Sequence, residues 1–565
     1  MSITTTRRRV GAPMPLTDLL GLQATGLAGW ALAAPLQVPG WWAGLGGFAV
    51  GLIMVLPLAG RSLPRRATAY AVFWWDRRRR VRTAASTPFD FELPSGDSLG
   101  LSWDGRVLTS LIRVDDTEPR LDVLVPGGVM APEVLPTSVL VDCLSMFDVA
   151  LASVDVISQG ARSTGHGRVA AVYEAILGPL PAIAKRSVYV VVRLDPARCR
   201  DAVLARGGGW DGALRTAAVA TRRVTTRLRE AGVRASATTA SGMAQAAREL
   251  TGGVGLDEVR EEWSACYAGR VRSSSYEIGP DALDTDGLAR VWATANGTTT
   301  VTLSLRPEVG GDGIEIRGLV RLDAPNVGAT RRGGGHGLPG RQFDALTCSL
   351  PLSPPRREVG RWVVLRGDDV AAVPAGLVVP TAGCGQVVGA DEHGRAVALT
   401  VFGPQVARVE IQGTLHLAQQ VVLRSIALGA RVRVHTRRTS AWRQMVEAVG
   451  DASQLHVVGS DRGAIEADAR RTFSVEMFDG EPEQPVRAGV TAVVVDAAGE
   501  TSSATADVRL QILDQDSDEV LVSTRRGAVR VTMVASEDEM RYTGASYDVA
   551  GQDQLESNRL IGRER

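Results

Sequence analysis

The stretch from Val10 to Gly60 constrains this chain most, because its only ionisable side chain is that of Asp18. About 20 apolar residues at 1.5 Å per residue cross a hydrocarbon core of roughly 30 Å, so the stretch is long enough to cross twice. Two prolines and a glycine, in Pro-Leu-Gln-Val-Pro-Gly at 35–40, interrupt any helix at its middle. The pattern predicts a two-helix transmembrane hairpin, with helices over 15–34 and 41–58.

Arginine predicts how this hairpin is oriented. Arginines lie at 7–9 before the first span and recur from Arg61 to Arg82 after the second, whereas the loop between the spans has no charge. Because arginine-rich flanks stay on the cytoplasmic side, we expect a multi-pass protein of the inner (plasma) membrane, with both termini and the remaining body in the cytoplasm. A cleaved signal peptide and a buried helical pair are the alternatives. The second span, which follows at once and has no charged residue, disfavours both.

The composition of the rest of the chain excludes several classes of function. The sequence has 565 residues and a net charge of +1, so it can bury sizeable cores and has no bulk attraction to nucleic acid. The five cysteines are widely spaced and form no CxxC pair, which excludes a zinc-finger pattern and argues against a disulfide framework. We expect small core residues in a reducing compartment at Cys143, Cys199, Cys266, Cys348 and Cys384.

The single lysine, Lys185, excludes two kinds of nucleotide chemistry. It lies in Leu-Pro-Ala-Ile-Ala-Lys-Arg at 180–186, without a preceding glycine loop. A P-loop needs its lysine after GxxxxG to reach the β- and γ-phosphates, and a protein kinase needs one on a strand beside its glycine-rich loop. If ATP hydrolysis is involved, another protein must perform it.

Strand and helix patterns alternate through the body and predict an α/β fold. The hairpin signal at 98–114 has Asp104-Gly105 as its turn, and 405–435 reads as a β-α-β crossover with parallel strands. Further helices are expected over 133–146, 167–177, 210–231, 241–250 and 256–267. The predicted domains are the hairpin with its basic juxtamembrane segment (1–83), a first cytoplasmic α/β domain (84–323), a Gly-rich loop or linker (324–342), a second cytoplasmic α/β domain (343–542) and a polar tail (543–565).

Two glycine clusters could bind anions or cofactors. The glycines at 207–209 precede a helix, whose start offers free N–H groups, although a joint between two helices is the favoured interpretation. The glycines at 383–389 have the spacing GxGxxxG and no clear helix after them, so they do not match a dinucleotide fingerprint.

Acidic triplets and one histidine are the remaining candidates for a functional site. Asp284 and Asp286 imitate the DxD of glycosyltransferases, but a helix follows, so a capping role is expected; similar triplets recur at 514–518. His166 lies in a strand-to-helix loop, a usual position for α/β active sites, without a recognisable partner. No catalytic, cofactor-binding or metal-ligating residue is assigned.

Ordered sequence blocks after the arginine-flanked hairpin resemble the EccE family of the type VII (ESX) secretion systems of mycobacteria and related actinobacteria. The blocks are WDGRVLTSLIRV at 103–114, SVDVISQGAR at 153–162, YEAILGPLP at 173–181, VVRLDP at 191–196 and GGGWDGALRTAA at 207–218. The similarity is strongest from the hairpin to about residue 250 and becomes weaker after residue 300.

The resemblance implies a non-enzymatic structural subunit of an inner-membrane complex. Such a subunit works with EccB-, EccC- and EccD-like proteins, of which EccC is the ATPase, in a ring-shaped hetero-oligomer that exports WXG100-, PE- and PPE-type proteins. It also implies cytoplasmic α/β bodies of Rossmann-like or glycosyltransferase-like fold, without cofactors. The alternative is a membrane-anchored glycosyltransferase-like enzyme that uses a nucleotide sugar and the carboxylates of Asp284 and Asp286.

Overall fold

The computed structural model describes residues 69–75 and 87–543, together with scattered residues between 23 and 49. Gaps lie at 95, 116–117, 126–127, 130–132, 165–166, 179, 181, 270, 294–296, 326–335, 356, 460–472, 497–504 and 515–517.

The described residues form 29 strands, numbered here in chain order. They are β1 Phe89–Glu92, β2 Ser98–Trp103, β3 Leu108–Val114, β4 Leu121–Val125, β5 Gly128–Val129, β6 Val134–Pro136, β7 Ser145–Met146, β8 Val149–Ala150, β9 Ser153–Ala161, β10 Lys185–Leu194, β11 Ala235–Ala237, β12 Arg260–Glu261, β13 Cys266–Ala268, β14 Val271–Ile278, β15 Thr298–Pro307, β16 Ile314–Pro325, β17 His336–Gly337, β18 Val363–Leu365, β19 Val378–Pro380, β20 Gln386–Ala390, β21 Ala396–Leu399, β22 Arg408–Gln412, β23 Val432–Thr436, β24 Leu455–Val458, β25 Val475–Asp479, β26 Thr491–Asp496, β27 Val508–Asp514, β28 Glu519–Thr524 and β29 Gly527–Met533.

Helices connect and cover these strands, and residues 69–75 are also helical. From residue 87 onward they are α1 Thr137–Asp142, α2 Arg168–Leu177, α3 Arg200–Ala205, α4 Gly209–Glu230, α5 Ala240–Leu250, α6 Thr285–Ala293, α7 Gln342–Cys348, α8 Asp369–Ala375, α9 Leu415–Ala427, α10 Thr439–Val449 and α11 Glu537–Thr543.

The first sheet has 13 strands, in the order β1-β2-β3-β10-β9-β15-β16-β14-β13-β12, with β11, β17 and β18 paired to β3, β14 and β16. Its strand pairs are antiparallel. Because side chains alternate along a strand, β10 supplies Val188, Val190 and Val192 to the larger core, where α4 packs, and Tyr189 and Val191 to a second core under α5.

The hairpin of β2 and β3 shows how local sequence sets this register. Asp104 Oδ1 accepts hydrogen bonds from the backbone N–H of Arg106 (2.8 Å) and Val107 (2.7 Å), which closes the turn. Gly105 has φ +96°, a conformation that glycine adopts without a steric penalty. The turn pairs Trp103 with Leu108, so the predicted hairpin is confirmed.

The second sheet has 12 strands, in the order β24-β23-β25-β26-β22-β27-β28-β29-β20-β21-β4-β5. The first six pair in parallel, and the rest continue antiparallel. Between β22 and β23, Thr414 Oγ1 accepts from the N–H of Leu417 at the start of α9, and Gly429, at φ +89°, follows its end. The β-α-β crossover predicted at 405–435 is therefore confirmed.

Elements from early in the chain complete the second sheet and its core. Strand β4 pairs with β21, and β6 pairs with β19 in a separate two-stranded sheet. From α2, Val169, Tyr173 and Leu177 pack into the core of the second sheet. Tyr173 Oη also accepts a hydrogen bond of 2.9 Å from the N–H of Val387. The two sheets are thus joined by buried contacts, and the domain boundaries predicted at 84–323 and 343–542 stay a prediction.

The predicted fold class, a membrane-anchored two-helix hairpin followed by two α/β (Rossmann-like or glycosyltransferase-like) bodies, is wrong. The described chain is mostly β-sheet, and β9 and β10 pair antiparallel although α2 lies between them. Alternation of strand and helix along a sequence does not show whether a helix crosses over its own sheet; α2 instead packs on the second core.

The predicted membrane spans need the same correction. Among the described residues, no helix has both the length and the apolar character that crossing a bilayer requires. Most of the two predicted spans, 15–34 and 41–58, lies outside the described residues. The prediction depended on hydropathy and arginine distribution, which constrain composition but not the length of a continuous helix.

Two helix predictions in the body are also wrong. The range 133–146 contains β6, the short α1 and β7, and the range 256–267 contains β12 and most of β13. Pairing with neighbouring strands overrides the helical pattern at both places. The Gly-rich stretch 324–342 has its centre, 326–335, outside the described residues.

Candidate functional site

The glycines at 207–209 form the joint between α3 and α4. All three have positive φ, at +104°, +68° and +56°, which only glycine adopts readily. The N–H of Gly208 donates to the carbonyl oxygen of Val203 (2.9 Å), and that of Gly212 to the carbonyl oxygen of Gly208 (2.8 Å). The interpretation of this cluster as a joint between helices is confirmed.

Asp284 caps a helix, as expected. Its Oδ1 accepts a hydrogen bond of 2.6 Å from the N–H of Gly287 at the start of α6, and Asp286 lies exposed in the first turn. Within the described ranges, no cluster of three His, Cys, Asp or Glu residues could hold a metal ion. His166 and Asp516 lie outside the described residues.

The glycines at 383–389 belong to a strand and its approach rather than to a phosphate loop. A Cβ at Gly383 would lie 2.3 Å from the carbonyl oxygen of Ala184, so close backbone packing requires this glycine. The N–H of Gly385 donates to the same oxygen (3.0 Å), and β20 follows directly. These two glycines therefore have a structural role in backbone packing.

The cysteines are buried and free, as predicted. Burial raises the pKa of the Cys143 and Cys384 thiols to about 12, so neither forms a thiolate at neutral pH. Lys185 begins β10, where it pairs with Ala161 of β9. These residues therefore take structural positions in the fold.

An aromatic residue at a hairpin tip stands out on the surface. Strands β7 and β8 are joined by Phe147 and Asp148, and Phe147 is 94% exposed with φ +55°. A bulky residue with positive φ is a genuine outlier, and it persists only where its surroundings hold it. The Asp148 carboxylate forms ion pairs with Arg206 (2.6 Å) and Arg223 (3.1 Å), which fix the turn. The Arg223 guanidinium also lies 5.3 Å from the centroid of the Phe147 ring.

Two further exposed apolar side chains lie on α3 and α4, the helices next to the clamping arginines. Leu204, at the end of α3, is 70% exposed, and Trp210, at the start of α4, is 46% exposed and contacts the rings of Phe89 and Trp103. Both flank the glycine joint, next to Arg206. We call Phe147, Leu204, Trp210 and the two clamping arginines the Phe147 surface. Exposed aromatic and arginine side chains are the types enriched at protein–protein contacts.

A groove with a volume of about 2590 Å³ crosses the other face of the first sheet. Its walls include α5, much of the segment 338–362 and part of the 69–75 helix, whose Phe73 packs edge-on against Trp263 at 5.6 Å. Its lining residues include Arg193, Asp155, Arg317 and Trp362.

The floor of this groove is charged. Arg193 and Asp155 form an ion pair with both side chains buried, and Arg193 Nη2 also donates to the Leu352 carbonyl oxygen (3.0 Å). Arg317 donates to the Val359 carbonyl oxygen (2.8 Å) and to Ser304 Oγ (3.0 Å). Sequence reasoning missed these residues. The available signal was a pair of arginines four positions apart, and so on one face of an apolar strand, as in Arg-Gly-Leu-Val-Arg at 317–321.

A family model matches residues 182–278, which include β10, α3, α4, β11, α5 and the strands β12 to β14. It describes EccE of the type VII ESX secretion system translocon. The match covers Leu204 and Trp210 of the Phe147 surface and Arg193 of the groove.

Whole-chain relatives agree with this match. "ESX-1 secretion system protein EccE1" of Mycobacterium tuberculosis is 27% identical over 366 residues, which cover 62% of this chain and 73% of that protein. The protein of the same description from Mycolicibacterium smegmatis is 27% identical over 274 residues, with 47% and 55% covered. "ESX-2 secretion system protein EccE2" of M. tuberculosis is 25% identical over 324 residues, with 56% and 55% covered.

These matches indicate a component of an ESX type VII secretion system, and with it a membrane-associated location. The descriptions point to a part of a secretion system rather than to an enzyme. The family model and these relatives support the resemblance to the EccE family that the sequence blocks predicted.

Proposed function

We propose that this protein is a non-enzymatic structural subunit of the type VII secretion complex. In this role it scaffolds the export of WXG100-, PE- and PPE-type proteins beside EccB-, EccC- and EccD-like subunits, in a ring-shaped hetero-oligomer. The ATPase subunit supplies the energy, since this sequence has one lysine and no P-loop around it. The free cysteines of the described body support a cytoplasmic location for it.

The Phe147 surface is the observation that carries the proposal. An aromatic ring that is 94% exposed loses the hydrophobic stabilisation that burial would provide. It also sits on a backbone with positive φ, which costs about 1–2 kcal/mol. Contact with another subunit would bury Phe147 and Leu204 together, and the flanking arginines favour an acidic partner surface.

Co-purification from native membranes tests this proposal. The Phe147→Ser variant is compared with wild type and with Leu513→Ser, a matched control whose leucine is exposed on β27 of the second sheet. We expect wild type and Leu513→Ser to co-purify with the ATPase subunit. Phe147→Ser should lose roughly tenfold of that association, as truncation of a central aromatic contact does.

Two results would count against the proposal. A wild-type chain that is extracted alone in every detergent is not part of a stable complex. Full association of Phe147→Ser would remove the Phe147 surface from the interface even if the complex itself is found. Circular dichroism of each variant controls for unfolding, because Phe147 lies outside the cores and its truncation leaves them intact.

A further inference from the structure

Unpaired N–H donors collect on the floor of the groove. Arg193 Nε, Arg317 Nε and Trp362 Nε1 are buried and have no hydrogen-bond partner within the described part of the chain, and all three residues line the groove. A buried polar atom without a partner costs about 1–3 kcal/mol, so such atoms need a specific explanation. These three atoms are all hydrogen-bond donors. The group that would satisfy them is therefore a hydrogen-bond acceptor.

The excess of positive charge at Arg317 also favours a negatively charged ligand. Arg193 is paired with Asp155, but Arg317 makes no ion pair with any described carboxylate. Its guanidinium stacks at 4.5 Å from the centroid of the Trp362 ring, whose other neighbour is Arg306 at 3.9 Å. A buried charge without a counter-ion is costly, and an anion would offset that cost.

The side chains of Arg193 and Arg317 both bond to residues on the two strands between them, Arg193 to Asp155 and Arg317 to Ser304. Arg193 on β10 and Arg317 on β16 are separated by β9 and β15, about 14 Å at roughly 4.8 Å per strand. Asp155 and Ser304 are direct partners between them. Burial raises the pKa of the Cys348 thiol, and the charges of Arg317, Asp155 and Arg193 also act on it.

We propose that this part of the groove binds a small oxyanion, either a phosphate or a carboxylate group of a small molecule, through Arg317, Arg193 and Trp362. The planar guanidinium of Arg317 donates from Nε, and the Trp362 indole donates from Nε1. Asp155 stays paired with Arg193, so these two residues and Arg317 together carry one positive charge. The site does not depend on the proposed scaffold role.

Titration calorimetry of the purified full chain with inorganic phosphate and with acetate, at constant ionic strength, tests the site. We expect saturable binding of one of the two probes, and the tighter one assigns the oxyanion class. Arg317→Gln should weaken binding roughly tenfold, the effect of losing one charge-assisted hydrogen bond. The matched control is Arg186→Gln, because Arg186 is a buried arginine that stacks on Trp292 at 4.2 Å and does not line the groove.

A second variant keeps the test decisive if Arg317→Gln does not fold. Trp362→Phe retains a stacking ring and removes only the N–H donor, and it also assigns the indole proton resonance of Trp362. We expect that resonance to shift when wild type binds the probe, and Trp362→Phe to bind several-fold more weakly. Absence of saturable binding with both probes overturns the proposal. Equal weakening by Arg186→Gln, or an indole resonance that does not move, overturns it as well.

Discussion

A buried ion pair at the C-terminal helix provides a sharp stability prediction. Arg424 of α9 and Glu539 of α11 have side chains that are 2% and 0% exposed. The two side chains meet in a bidentate pair, Nε to Oε1 at 2.8 Å and Nη2 to Oε2 at 2.9 Å. Arg424 Nη1 also donates to the carbonyl oxygens of Val387 and Val388, both at 2.9 Å. The pair therefore attaches α11 to α9 and to β20.

Glu539→Gln removes the charge while keeping the shape of the side chain. Removing one partner of a buried pair costs about 3–5 kcal/mol, because the other charge stays buried. Glutamine retains one acceptor, so we expect a loss of about 3 kcal/mol in the free energy of unfolding. The control is Asp538→Asn on the same helix, whose exposed pair with Arg541 (3.2 Å) should contribute no more than about 1 kcal/mol.

Guanidinium unfolding of the full chain measures both variants, and hydrogen exchange of the amides at 537–543 locates the loss. Glu539→Gln should lower the unfolding midpoint and speed exchange in α11, whereas Asp538→Asn should do neither to a comparable extent. If the two variants differ by less than about 1 kcal/mol, the argument from burial is refuted. Equal exchange in α11 of wild type and Glu539→Gln would show that the pair does not hold this helix.

Three further predictions follow from backbone contact, ion pairing and burial. A Cβ at Gly100 would lie 2.4 Å from backbone carbon, so Gly100→Ala should cost about 1–3 kcal/mol in denaturant unfolding; Gly527→Ala, with nothing within 4 Å, is the neutral control. Hydrogen bonds from its two arginines lower the pKa of Asp148 from 3.8 to about 2, so this carboxylate stabilises the fold above pH 3.8 and loses that effect as the pH falls through 2. The stability difference between wild type and Asp148→Asn should therefore shrink over that range, and a pH-independent difference would contradict the assignment. Maleimide should label Cys143 and Cys384 at neutral pH only after unfolding, as mass spectrometry of the labelled peptides would show, and rapid labelling of the folded chain would contradict their burial.

Local signals in the sequence predicted local structure well. Asp104-Gly105 between alternating apolar residues predicts the β2–β3 hairpin, since the turn geometry fixes the register. Thr414 before an apolar run and Gly429 after it give the two ends of α9. In each case the residues that decide the structure are neighbours along the chain.

Pairing between distant segments could not be predicted in the same way. Strand β4 has the composition of any buried strand, and nothing in it indicates that its partner is β21 of the second sheet. Strands β9 and β10 flank α2 as in a crossover unit, but the core that buries α2 belongs to the other sheet. The fold class was wrong because it depended on these long-range choices.

The candidate surfaces were equally hidden from sequence reasoning. The glycine joint and the cap at Asp284 follow from local rules, and both were expected. Phe147 is exposed because it lies in a two-residue turn. The other turn residue, Asp148, pairs with Arg206 and Arg223, which lie outside the hairpin. The groove gathers Arg193, Arg317 and Trp362 from three strand-and-loop segments that only the tertiary structure brings together.

The pairing of β4 with β21 has a consequence for biosynthesis. Leu121 emerges from the ribosome roughly 280 residues before its partner Leu399, a delay on the order of tens of seconds at about 5–20 residues per second. During that interval an apolar segment is exposed on the nascent chain without its neighbour. Chaperones that hold β-rich intermediates should therefore influence the yield of this protein more than its final stability would indicate.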